Sequence, residues 1–100
     1  MDERRKSPRF DVDRPARLHA DDAVIEGRLV DLCREAAFLE VDRLLPVGTA
    51  VRVEMELPGP APLIVEGQVV RHGEGGVAVM FGPESPAAIT RIDLFLDQHD

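Results

Sequence analysis

The chain has 100 residues, 44% of them hydrophobic and 31% charged, with a formal net charge of −7. That is the size and balance of one compact domain, and it excludes a catalytic fold with a separate substrate domain, a disordered chain and, with no apolar run near the ~20 residues a bilayer requires, a membrane-spanning helix. Cys33, the only cysteine, excludes an internal disulfide and a zinc site built from paired thiolates.

The chain opens on a basic arm, read here as residues 1–13. Residues 1–17 hold six of the twelve basic side chains against four acidic ones, so the remainder carries −9. An acidic body argues against wrapping long nucleic acid and suits a small anionic ligand gripped by the arm; a solvated, mixed-charge terminus is the plain alternative. Met1-Asp2-Glu3-Arg4-Arg5-Lys6 is charged where a secretory signal would be apolar, which gives a cytoplasmic expectation.

Period-two alternation follows, the pattern of strands with one buried face. Ala16–Ala20 and Val24–Leu32 read as strands joined at Asp21-Asp22, Ala37–Val41 as a third, and Pro46-Val47-Gly48 as a turn. Val51, Val53, Met55 and Leu57 alternate with Arg52, Glu54 and Glu56, the clearest strand in the chain. Beyond Pro58-Gly59-Pro60, Leu63–Arg71 and Val77–Phe81 form a hairpin around Gly73-Glu74-Gly75-Gly76. Six short strands over residues 14–82 predict an antiparallel β-barrel, since closure removes the exposed edges of so small a sheet. Ser85 as N-cap, Pro86 at the first helical position, and Ile89, Ile92 and Leu96 at helical spacing predict a helix over 85–97 packed on that barrel. The expected fold is all-β with a C-terminal helix, as a single domain over residues 1–100.

No enzyme constellation is present in the sequence. His19, His72 and His99 lie apart from one another and from carboxylates at ligand spacing, so no metal or cofactor is expected. The glycines at 73, 75 and 76 lack the spacing and the following helix of a phosphate cradle and read as turn residues. Two segments stand out. In Arg4-Arg5-Lys6-Ser7-Pro8-Arg9, Arg5 and Arg9 form an RxxxR pair ahead of the first strand, and Pro8 keeps Ser7 out of a helix. A planar guanidinium can stack on a base or fork onto guanine O6 and N7 or phosphate. In Asp31-Leu32-Cys33-Arg34-Glu35-Ala36, Asp31 and Cys33 share a face if the strand runs that far, and a carboxylate there can accept from guanine N1 and N2. Without a ligand, Asp31 reads as a strand-end turn former and Cys33 as a small buried apolar residue.

The order and separation of these segments, with Leu45-Pro46-Val47-Gly48-Thr49, Val65-Glu66-Gly67-Gln68-Val69-Val70 and Gly76-Val77-Ala78-Val79, resemble the PilZ domain family over residues 3 to about 97. The resemblance implies a six-stranded barrel with a C-terminal helix that binds cyclic di-GMP, a bacterial second messenger, through RxxxR and a (D/N)xSxxG motif. It implies Arg5 and Arg9, with neighbouring Arg4, as guanine-stacking and phosphate-binding groups, and Asp31 as the guanine-edge acceptor. Cys33 and Ala36 stand in the serine and glycine places. A thiol is a weaker donor than a hydroxyl, and a lost ligand hydrogen bond costs about 0.5–1.5 kcal/mol. Alanine for glycine matters more if that position needs a left-handed backbone, which costs a non-glycine residue roughly 1–2 kcal/mol, or close approach of the backbone to the ligand. The implied function is a cytoplasmic signalling module, not an enzyme, that binds cyclic di-GMP weakly and passes the change to an unidentified protein partner in motility or exopolysaccharide control. The alternative is a protein-interaction adaptor of the same fold that has lost the nucleotide.

Overall fold

The computed structural model describes residues 10–21, 23–57, 61–82 and 86–97. Within them the chain forms β1 (Phe10–Ala20), β2 (Ala23–Leu32), β3 (Ala36–Val41), β4 (Ala50–Met55), β5 (Leu63–Gly73), β6 (Gly76–Phe81) and α1 (Pro86–Asp97). The strands close antiparallel into a barrel in the order β1-β2-β3-β6-β5-β4, with the helix at the C-terminal end.

Alternation determines which side chains fill the barrel. Leu18, Leu29, Leu39, Val53, Val65, Val69, Val77 and Val79 are wholly buried, while Arg52, Ile64, Glu66, Gln68 and Met80 face outward. From α1, Ala88, Ile92, Phe95 and Leu96 join this core. The helical stripe read from the sequence therefore packs as expected at Ile92 and Leu96, with Ala88 and Phe95 added; Ile89 is only half-buried. Closure demands small residues where backbones meet: a Cβ on Gly76 would collide with the Leu39 carbonyl on β3.

The largest boundary departure from the sequence reading is at the start of the first strand. β1 starts at Phe10, so residues 10–13, assigned to the arm, belong to the sheet. Pro15 lies within the strand, paired with Arg28 of β2, and β1 pairs with β4 from Ala16 to His19. Pro15 sits at the end of that β1–β4 ladder, where the Glu56 carbonyl that a backbone N–H at position 15 would meet accepts from Arg14 Nε at 2.8 Å instead. The Pro15 carbonyl is still used, accepting from the Glu56 N–H at 3.2 Å.

Candidate ligand-binding site

The end of β2, the turn after it and the start of β3 build the site. Asp31 pairs with Asp11 of β1 and Phe38 of β3, across a register shift between Leu29 and Asp31. β2 stops at Leu32, one residue short of carrying Cys33. The turn is closed by the Cys33 N–H donating to the Ala36 carbonyl at 2.9 Å. Cys33 is buried, and its thiol donates weakly to Glu35 Oε1 at 3.6 Å. Glu35 accepts the Phe81 N–H on its carbonyl at 2.7 Å, and Arg34 Nε reaches Asp93 Oδ1 of α1 at 2.9 Å. The turn is thus tied to β6 on one side and to the helix on the other.

Asp31, Cys33 and Ala36, from three different settings, line one cavity of about 190 Å³ together with Phe38, Arg71 and Met80. Ala36 is a strand residue paired with Met80, and Asp21 is the only non-glycine described residue with positive φ. The left-handed penalty considered for alanine in the glycine place therefore does not arise. What remains is steric, because the Ala36 methyl takes up room at the cavity wall. Arg4, Arg5 and Arg9 lie outside the described residues. The strand that follows them begins with Phe10 opposite Leu32, next to the cavity.

Phe38, Arg71 and Met80 were missed in the sequence because the cavity joins strands far apart in the chain. The register explains their meeting: Asp31 pairs with Phe38, Phe38 with Ala78, and Ala78 with Arg71, one row across β2, β3, β6 and β5. Directly paired residues share a face. A second register shift, between Val69 and Arg71, interrupts the alternation of β5, so that Val70, Arg71 and His72 are all exposed and Val70 and Arg71 both line the cavity. Bulges re-aim side chains in this way. Above the row, Gly73 leaves space that a Cβ would fill at 2.7 Å from Phe38 Cε1 and 3.4 Å from Arg71 Nη1.

A separate charged network lies on the outer face of β1, β2 and β4. Arg17 pairs with Glu26 at 3.1 Å and Glu54 at 3.0 Å, and His19 Nε2 lies 2.8 Å from Glu54 Oε1. The His19 hydrogen bond, helped by Arg17 and opposed by partial burial, holds the Glu54 carboxyl below its ordinary range. Arg17 is raised, chiefly by its hydrogen bond to Glu26. His72 uses Nε2 on the Leu45 carbonyl at 2.6 Å. Among the described residues no three His, Cys, Asp or Glu side chains could hold a metal ion, and no described helix is long and apolar enough to cross a membrane. Two wider clefts, of about 460 and 470 Å³, lie at the other end of β2 around Asp21, with His19, Arg52 and Glu66 in one and Arg43, Leu45 and Thr49 in the other.

The fold is shared with solved structures at low identity. The PilZ domain of CeSA from a cellulose-synthesizing bacterium superposes with a TM-score of 0.75 at 18% identity, covering 94% of this chain and 100% of that one. The PilZ domain with c-di-GMP of YcgR from Escherichia coli gives 0.76 at 14%, covering 95% and 91%. The Bacillus subtilis inhibitor of motility, MotI/DgrA, gives 0.78 at 13%, where 96% of this chain spans 51% of that protein. No curated protein sequence matches the chain. The PilZ domain family itself matches over residues 3–98. With the closed six-stranded barrel and its C-terminal helix, that match makes the chain a member of the PilZ domain family, a family of cyclic di-GMP receptors.

Proposed function

We propose that this chain is a signalling module that binds cyclic di-GMP between its N-terminal arginine arm and the β2–β3 turn, and hands the change to a protein partner. The observation that carries the reading is the meeting of Asp31, Cys33 and Ala36 in one cavity beside the start of β1. Five peptide units separate Arg5 from Phe10, and an extended chain gains about 3.3–3.6 Å per residue, so Arg5 has roughly 17 Å of backbone reach from the cavity rim. Arg4, Arg5 and Arg9 then supply stacking and phosphate contacts while Asp31 accepts from a guanine edge. Cys33 offers a weak donor already turned to Glu35, and Ala36 narrows the cavity, so the interaction is weak, of micromolar order.

A cytoplasmic setting and a partner in motility or exopolysaccharide control belong to the same reading. They are supported by the fold's likeness to a motility inhibitor and to a PilZ domain of a cellulose-synthesizing bacterium. The turn offers a route for the signal, since Arg34 ties it to Asp93 on α1. The test is calorimetric titration of cyclic di-GMP into the native chain, Arg5→Ala, Arg9→Ala and Cys33→Ser/Ala36→Gly. Weak binding in the native chain, lost in either arginine variant and tightened in the double variant, supports the reading. Silence in the native chain with binding restored in the double variant favours an adaptor that has given up the nucleotide.

A further inference from the structure

The cavity holds a cation that neither of the family's two motifs supplies. At about 190 Å³ it is smaller than the ~300–1,000 Å³ of pockets that enclose a drug-sized ligand, so it suits one base of a cyclic dinucleotide rather than the whole molecule. Its charged groups are Asp31 at one end of the cross-strand row and Arg71 at the other, with Phe38 and Ala78 between them. Three strand spacings of about 4.8 Å, roughly 14 Å along the sheet, separate the two backbones, a span in which a purine fits between two side chains extended toward each other. Arg71 Nη1 and the Phe38 ring both border the space over Gly73, so the guanidinium sits beside an aromatic side chain that lines the cavity. Among the described residues Arg71 forms no ion pair, so its donors are not committed there.

We propose that Arg71, beside the Phe38 ring, reads the O6/N7 edge of the guanine whose N1/N2 edge Asp31 takes, making Arg71 a specificity-determining residue; this rests on the cyclic di-GMP reading above. Guanine presents two acceptors on one edge and donors on the other. A guanidinium fork is donor-only and a carboxylate acceptor-only, so the two ends of the row match the two edges in chemistry. Adenine turns its N6 amino donor toward the guanidinium and offers no 2-amino group to the carboxylate. The bulge between Val69 and Arg71 is the local device that brings the side chain to this wall.

The experiment titrates cyclic di-GMP and its inosine analogue, which lacks the 2-amino group and keeps O6 and N7, into the full chain and its Arg71→Ala and Arg71→Lys variants, with thermal melts in parallel. Arg71→Ala weakens both ligands by the same factor, about tenfold, and Arg71→Lys recovers only part of it, because a point charge lacks the fork. Melting is unchanged, since the side chain is exposed. If the native chain does not bind, the comparison is read in the Cys33→Ser/Ala36→Gly background. Should Arg5→Ala abolish binding while Arg71→Ala leaves it intact, or should the loss appear with only one of the two ligands, this assignment is overturned and the messenger reading stands. Silence in both the native chain and the double variant overturns both.

Discussion

Ala36→Gly separates what the turn needs for folding from what a ligand needs for access. Ala36 starts β3, pairs with Met80, accepts the Cys33 N–H at 2.9 Å and has no positive φ. Glycine in such a position gains only unfolded-state freedom, so the substitution destabilises by roughly 0.5–1 kcal/mol. A domain of this size loses about 4–8 °C per kcal/mol, which places the melting point roughly 2–8 °C lower. Were Ala36 held left-handed, glycine would instead relieve about 1–2 kcal/mol and the melting point would rise. The sign of one thermal shift, read by circular dichroism without ligand, therefore decides between the two backbones. Affinity moves the opposite way: removing the methyl widens the cavity wall, and cyclic di-GMP binds more tightly to the less stable protein. A variant that melts higher than the native chain refutes this account of the turn.

Two further predictions concern the barrel. Leu29 is wholly buried, so Leu29→Ala removes side-chain contacts and leaves a cavity, destabilising by about 2–5 kcal/mol and lowering the melting point by at least roughly 8 °C. On the outer face, the folded Glu54 carboxyl titrates below its ordinary value of 4.5, so the folded state binds fewer protons than the unfolded chain in that interval. Its stabilisation is complete above about pH 4.5 and drains as the pH falls through the lowered value. Urea midpoints at pH 7 and pH 3 will fall less between the two for Glu54→Gln than for the native chain; equal falls would show that the His19 contact does not bias Glu54.

What the sequence revealed was local. Alternation along Val51–Leu57 and the Pro86 helix start are properties of neighbouring residues, and both appear in the fold with shifts of one or two positions. β1 begins at Phe10, ahead of the strand read from Ala16, because its first half is defined by pairing with β2, Phe10 with Leu32, Asp11 with Asp31 and Arg14 with Leu29, and not by a local pattern. Asp31, Cys33 and Ala36 were legible as a motif, but the cavity that joins them was not, since Phe38, Arg71 and Met80 arrive through pairings between strands up to some forty residues apart. Arg71 carried one faint local sign: the Val69-Val70-Arg71-His72 stretch breaks strict alternation, as a bulge does. The left-handed backbone considered for Ala36 came from reasoning about glycine's usual purpose, and the strand pairing of that residue removes it.

An amide chemical-shift titration of the full chain with cyclic di-GMP reaches the central claim most directly. The account predicts saturable shifts clustered at Asp31, Cys33, Ala36 and Phe38 and around Arg71 and Ala78, with Asp21, Ala23 and Arg43 at the far end of the barrel unmoved. Shifts confined to that far end, or a spectrum indifferent to the nucleotide in both the native chain and Cys33→Ser/Ala36→Gly, would contradict it.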